Sequence, residues 1–320
     1  MKYFKINTIF AAIGVIATML VSCSDNTTNT VDNSNRIPNP PTKLRATSID
    51  QNTVRVKWDL SNSESDSLFT GYRITYNGSP TSFDLPKGTG MRDFANFLEG
   101  VKYTIKVVAL FSNGNTSSVD SVIWSPASRF VTNINDAPIR IYETASSFGS
   151  GLQLYEPTNQ KPKGLKVASG SDWNLGIYTT NYNGTSGLMF GSPDSLNYSY
   201  TGTPKITEIS SDYYDEASSL DEIFDTQALD AANFSPGIYD LTQFKPTNGA
   251  LVFIVRTYES GLLQQPNYAK VLIKYVNNSF LQGSGSDRYI ECVISYQLVK
   301  GVPFAITAPK ADNQNKTNNK

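Results

Sequence analysis

The hydrophobic pattern is densest between residues 250 and 298. ALVFIVRTY is apolar at nearly every position, a loop rich in Gln, Pro and Asn follows, and YAKVLIKYV resumes the apolar run. After GSGSD, the segment RYIECVISYQLV alternates. Ile290, Cys292, Ile294, Tyr296 and Leu298 share one side, and Tyr289, Glu291, Ser295 and Gln297 share the other. Side chains of an extended chain point alternately to opposite faces, so this last segment predicts a half-buried strand. The first segment, apolar on both sides, predicts a central strand with the other two paired beside it. Three such strands can hold a sheet together and serve as the scaffold of the second half of the chain.

The same alternation recurs upstream. Residues 53–60 place Val54, Val56, Trp58 and Leu60 on one buried face, GYRITY at 71–76 repeats the pattern, and NGSP follows as a turn. LEGVKYTIKVVALF leads through the turn SNGN into a last strand ending in VIWSPASRF. About seven short strands over about 95 residues predict an antiparallel sandwich. The Pro-rich start with Leu44 and Ala46, the buried Trp58, Tyr72 and the spacing Leu98-x-Gly100-x-x-Tyr103 resemble a fibronectin type III domain over 38–132. That resemblance implies a spacer and presentation module. No RGD sequence is present, so the integrin-binding signature is not carried over.

A second unit spans 135–308. It carries IRIYE, FGSGLQLYEPTNQKPKGLKV, DWNLGIYT, the turn NYNGTSG, LMF, GIYD and the three strands described first. In that order these pieces resemble the HmuY-like family of haem-binding lipoproteins, whose mostly antiparallel fold clamps haem between loops. The best-known members ligate the iron with two His, and this chain has none. Some relatives use Met, and thioether sulfur is a legitimate axial ligand. After the leader, Met91 and Met189 are the methionines present, and Met91 falls in the fibronectin-like unit. The resemblance therefore makes Met189 the candidate haem ligand, with core filling beside Leu188 and Phe190 as the competing reading. Any of the 18 Tyr could supply the other ligand.

Between these strands lies an acidic stretch with Asp212, Asp215, Glu216, Asp221, Glu222, Asp225 and Asp230. Leu220, Ile223, Phe224 and Ala228 recur at helical spacing, which predicts a short amphipathic helix over 220–231, ending before Pro236. Its carboxylates read as a solvated helix face, because the DxDxDG pattern of a calcium loop is missing. The expected fold class is all-β: a fibronectin type III sandwich plus a second, mostly antiparallel β domain with one short helix.

The amino terminus gives an address. Lys2 and Lys5 precede an apolar run over 9–21, too short for the roughly 20 residues of a membrane crossing, and Leu20-Val21-Ser22-Cys23 follows. This resembles the bacterial lipobox, which implies removal of residues 1–22 and lipidation of Cys23. Residues 23–37, polar and without periodicity, predict a flexible tether, and 309–320 a disordered tail. The resemblance points to export and anchoring on the cell envelope, in the outer membrane of a Gram-negative bacterium.

Composition narrows function. A net charge of −1 leaves no basic footprint for nucleic acid. With no His, Ser-His-Asp triads and His-bearing zinc sites are excluded. Cys292 lies on the inward face of its strand and reads as a buried apolar residue. No nucleophile and base pair can be named, so a non-catalytic protein is expected. Two functions stay open: a lipid-anchored binding protein for haem or another flat apolar ligand, and a structural or adhesive surface lipoprotein. The expected partners are the membrane, through the lipid, a small apolar ligand, and a surface protein or glycan.

Overall fold

The computed structural model describes residues 32–166, 172–179, 187–196, 205–222, 234–258 and 265–302. The chain divides after Asn35; in the short described part before that point, the Asp32 carboxylate accepts from Ser34 N at 2.9 Å. From Arg36 onward, the described residues form strands and 3-10 turns without an α-helix.

The first sandwich has two antiparallel sheets. One contains β1 (Thr42–Ser48), β2 (Val54–Asp59) and β5 (Met91–Phe94). The other orders β3 (Phe69–Tyr76), β4 (Phe83–Pro86), β6 (Tyr103–Phe111) and β7 (Asp120–Trp124) as β4-β3-β6-β7. Val54, Val56 and Trp58 are buried as the alternation requires. Leu60 is not: β2 ends at Asp59, and the next in-phase residue is 44% exposed. The strand expected to end in VIWSPASRF is also divided. β7 stops at Trp124, and β8 (Ser128–Phe130) joins a different sheet.

That different sheet belongs to the second half. β8 and β9 (Ile139–Tyr142) lie one after the other along β19 (Tyr289–Tyr296), the excursion over 131–138 being closed by a bridge between Thr132 and Pro138. The full seven-stranded sheet adds β14 (Ile206–Tyr214), β15 (Phe234–Ser235), β17 (Ala250–Tyr258) and β18 (Asn267–Lys274), in the order β15-β14-β17-β18-β19-β8 with β9 also on β19. The three strands expected at 250–298 are therefore present. β17 is central, but β19 pairs with β18, and the other neighbour of β17 is β14. A five-stranded sheet packs against them: β10 (Gly151–Glu156), β11 (Lys161–Leu165), β12 (Leu175–Tyr178), β13 (Met189–Gly191) and β16 (Ile238–Asp240). The expected short helix begins as a 3-10 turn, Leu220–Glu222, and its remainder lies outside the described residues.

The seven-stranded sheet is covered on both faces. Leu251, Phe253 and Val255 of β17 and Ala269, Val271 and Ile273 of β18 pack with Leu152, Leu154, Leu175, Ile177 and Phe190 of the five-stranded sheet. Ala250, Val252, Ile254, Tyr268 and Leu272 point the other way and join the core of the first sandwich. Polar groups fix this second contact. Lys270, buried on β18, donates from Nζ to Thr47 Oγ1 at 2.7 Å, and Gln297 Nε2 donates to Ser125 O at 2.7 Å. Ser48 Oγ accepts from both Trp124 Nε1 (3.1 Å) and Ala127 N (2.7 Å), holding the crossover from one sandwich to the other. Arg129 Nη1 reaches Ile49 O at 2.6 Å and Asp221 Oδ1 at 2.5 Å.

Two outcomes follow from this packing. Ser48→Ala removes an acceptor shared by two buried donors, at a cost of about 1–3 kcal/mol. In thermal denaturation followed by circular dichroism, both sandwiches should melt in one transition, moved down by several degrees in the variant. Two separate melts, with only one displaced, would contradict a shared core. Burial, reinforced by the neighbouring Glu291 charge, pushes the Cys292 thiol up to about 12, leaving it neutral at pH 8. In a full-length Cys23→Ser chain, iodoacetamide at pH 8 should label Cys292 only after unfolding in guanidinium, and native labelling would show that β19 opens readily.

Candidate functional site

A cavity of about 300 Å³ opens where strand ends of the two facing sheets meet. Three segments wall it: Thr179, Gly187 and Leu188 between β12 and β13; Leu241, Thr242, Phe244 and Lys245 after β16; and Tyr275 with 278–281 after β18. Arg288, at the start of β19, completes the lining.

Local sequence explains each wall. Val276 and Ser279 exchange backbone bonds across Asn277 and Asn278, whose φ values of 51° and 61° are those of a two-residue type I′ turn. Asn tolerates that left-handed conformation, so the Asn-Asn pair reverses the chain and brings Phe280 onto Tyr275, ring centroids 4.7 Å apart. Asp240 caps the turn Leu241–Gln243, accepting from Thr242 N at 3.0 Å and Thr242 Oγ1 at 2.7 Å. The same carboxylate accepts from Leu188 N at 3.3 Å, and Leu241 N donates to Leu188 O at 2.8 Å, so two walls are joined. Burial alone would raise the pKa of Asp240, but the bonds from Thr242, Leu188 and Gln243 prevail and hold it below the usual carboxylate value.

Arg288 meets the buried Glu143 through two parallel bonds, Nε to Oε2 at 2.8 Å and Nη2 to Oε1 at 2.5 Å. Removing one partner of such a buried pair costs about 3–5 kcal/mol, which makes Arg288 a fixed part of the wall. Among the described residues, the lining thus combines aliphatic and aromatic surface with two cations and no acidic side chain. Thr179 is only 8% exposed, and its Oγ1 is closed off from the cavity, with no hydrogen-bond partner among the described residues.

The residues singled out from the sequence lie elsewhere. Cys23 falls outside the described residues. Met91 is exposed on β5 of the first sandwich. Met189 sits on β13, opposite Tyr178 and Asp240, and packs with Trp173, Leu196, Tyr178 and Ile238. Strand alternation sends Leu188 and Phe190 into the inter-sheet core and Met189 to the outer face. Met189 does not line the cavity, so an iron ligated by Met189 and seated in it does not fit this arrangement. Tyr275 is the lining residue of a type that ligates haem iron. Among the described residues, no cluster of His, Cys, Asp or Glu could hold a metal ion. Sequence reasoning missed Thr179, Lys245 and Arg288 because none belongs to a motif; each is brought in by a strand end or turn.

In the first sandwich, Leu98 N donates to the Tyr103 hydroxyl at 3.0 Å across Gly100 (φ 75°), forming the tyrosine corner that the spacing implies. Trp58 meets Tyr72 edge to face at 5.7 Å in the core. The fibronectin type III family matches residues 39–124. Similar solved structures include the fn3 domain of the human collagen alpha-1(XX) chain, at 21% identity over 28% of this chain and 87% of that one, with a TM-score of 0.25. The FN5 domain of Drosophila Lar is 26% identical over 28% of this chain and 97% of that one, with a TM-score of 0.21. No curated protein matches the chain. Residues 39–124 are a fibronectin type III domain, a spacer or adhesive module that continues into a second β unit.

Proposed function

We propose that the protein is an exported, lipid-anchored binding protein of the cell envelope whose second β unit takes up a small, flat, apolar ligand. The observation that carries this reading is the cavity walled by Leu188, Leu241, Phe244, Tyr275, Phe280 and Leu281. Its volume stands at the lower end of the range for small-molecule sites, and its lining is of the kind such sites use. The resemblance of the second unit to HmuY-like lipoproteins adds a reason to expect a planar ligand. Haem, larger than the cavity, would meet it in this reading by one apolar edge, and not through Met189. In this reading Cys23 carries the lipid, the polar stretch after it spans the headgroups, and the fibronectin domain presents the cavity at a fixed angle. The alternative, a structural or adhesive lipoprotein that meets a surface protein or glycan, rests on the fibronectin domain itself.

Two measurements test the proposal. N-phenyl-1-naphthylamine, a neutral apolar fluorophore, should brighten saturably at one site on the full-length Cys23→Ser chain in detergent-free buffer, with hemin competing. Thr242→Trp, an exposed substitution at the cavity wall, should abolish the signal; no saturable binding of either compound would overturn the binding reading. Separately, the wild-type chain expressed with its leader should enter the detergent phase of Triton X-114, and Cys23→Ser should stay in the aqueous phase. Equal partitioning of the two would remove the anchor.

A further inference from the structure

We propose that the pole of the fibronectin domain from which the chain runs back toward Cys23 rests on the bilayer surface, with Ile37, Leu60 and Val119 among the lipid headgroups. This inference rests on the reading of Cys23 as the lipid-bearing residue and adds which face of the protein meets the membrane.

Strand directions define this pole. β1 and β7 begin there, at Thr42 and Asp120, and β2 and β6 end there, at Asp59 and Phe111. The chain enters the domain at the same end, where residues 36–39 are fastened to the turns on either side. Arg36 O accepts from Asn113 Nδ2 and Asn115 Nδ2, both at 2.9 Å, and the Arg36 guanidinium pairs with Asp66. Asn39 N donates to Ser63 Oγ at 2.8 Å, and Asn39 O accepts from Ser61 Oγ at 2.6 Å. Pro38, between these two residues, is buried. The point at which the domain is tied to the preceding chain is therefore fixed on its surface.

Reach places that point at the bilayer. Cys23 stands thirteen positions before Arg36, a span of about 20 Å for a coil and about 45 Å at full extension. The opposite pole, which carries Leu98, is farther away by the length of β6, about 30 Å for an extended Tyr103–Phe111. Confinement within such a span raises the effective concentration of the surface, so a contact too weak to hold a free protein becomes populated. The near pole suits a bilayer chemically. Ile37, Leu60 and Val119 are exposed there, and each adjoins a charged residue that is answered inside the domain. Arg36 pairs with Asp66, Asp59 with Lys43 at 3.1 Å, and Asp120 accepts from Leu44 N at 2.9 Å. Apolar side chains of this kind enter the headgroup boundary by the area they bury, and charges already paired add no preference for anionic lipid. A protein partner would need about 800 Å² of this pole, in the space where the anchor holds the bilayer.

The test uses the lipid-bearing chain in phosphatidylcholine vesicles that contain spin-labelled quencher lipids. An environment-sensitive fluorophore is attached to a thiol introduced by Leu60→Cys, Val119→Cys or Leu98→Cys; Cys23 is blocked by its lipid and Cys292 is buried, so the new thiol alone is labelled. The quencher should dim the label at Leu60→Cys and Val119→Cys and leave it unchanged at Leu98→Cys, a comparably exposed apolar position at the far pole. The same pattern is expected when phosphatidylglycerol is added to the vesicles. Ile37→Asp combined with Val119→Asp should lower the quenching at Leu60→Cys toward the far-pole level. Absence of quenching at all three positions, with the chain still floating with the vesicles, would overturn this inference alone and leave the domain hanging clear of the surface. Bright, blue-shifted emission at the near pole without quenching would overturn it in favour of a second copy of the chain covering that face. A chain that does not float with the vesicles would overturn the anchor and this inference with it.

Discussion

Burial of both faces of the seven-stranded sheet is the constraint on which the structure depends. β17 has no exposed residue along its length and β18 has one partly exposed residue, so each face needs a cover. The five-stranded sheet covers one. The fibronectin domain, with Ala217, Leu220 and Phe234, covers the other. On that second face Val252, Ile254, Tyr268 and Leu272 would be opened to water if the domain left, an exposure of about 6–12 kcal/mol at 1.5–3 kcal/mol per large side chain. Native domains are stable by only about 5–15 kcal/mol in total, so the two sandwiches cannot be independent modules on a loose joint.

Apolar contact alone would let the layers slide, and the polar groups at the junction prevent it. Lys270 is buried and points its ammonium at Thr47, on a strand of the other sandwich. A charge held there would be left without that acceptor in any other register. Gln297 and Ser48 act similarly with neutral groups, and the path of the chain adds a covalent restraint, because Ser128–Phe130 is hydrogen-bonded to β19 directly after the last fibronectin strand. In the proposed function this rigidity matters more than length: a cavity on a fixed frame is presented in one orientation relative to the fibronectin domain.

Strand patterning was legible wherever one rule governed it. Val54, Val56 and Trp58 alternate because one face of β2 is solvated, and Tyr103 announced its corner by spacing alone. β17 was recognisable as buried on both faces, but sequence did not show that the second cover is the neighbouring domain. Ser295 and Gln297 looked like the outward residues of a half-buried strand, and they are buried because the fibronectin domain lies over them. β14 was hidden because its polar residues, such as Ser210, find partners inside the structure: Ser210 Oγ accepts from Ile254 N of β17. The cavity left no motif, since Thr179, Lys245, Asn278 and Arg288 come from four separate turns and strand ends.

If the fibronectin domain is the second cover of the sheet, it must protect strands in which none of its own residues take part. Native-state hydrogen exchange of the amides of β17 and β18, compared between the intact chain and a chain lacking 36–127, addresses this. Global-unfolding protection in the intact chain that falls by orders of magnitude in the truncated one is the expected result. Equal protection of Ala250–Tyr258 and Asn267–Lys274 in both chains would mean that the sheet stands alone and the fibronectin domain is an appendage.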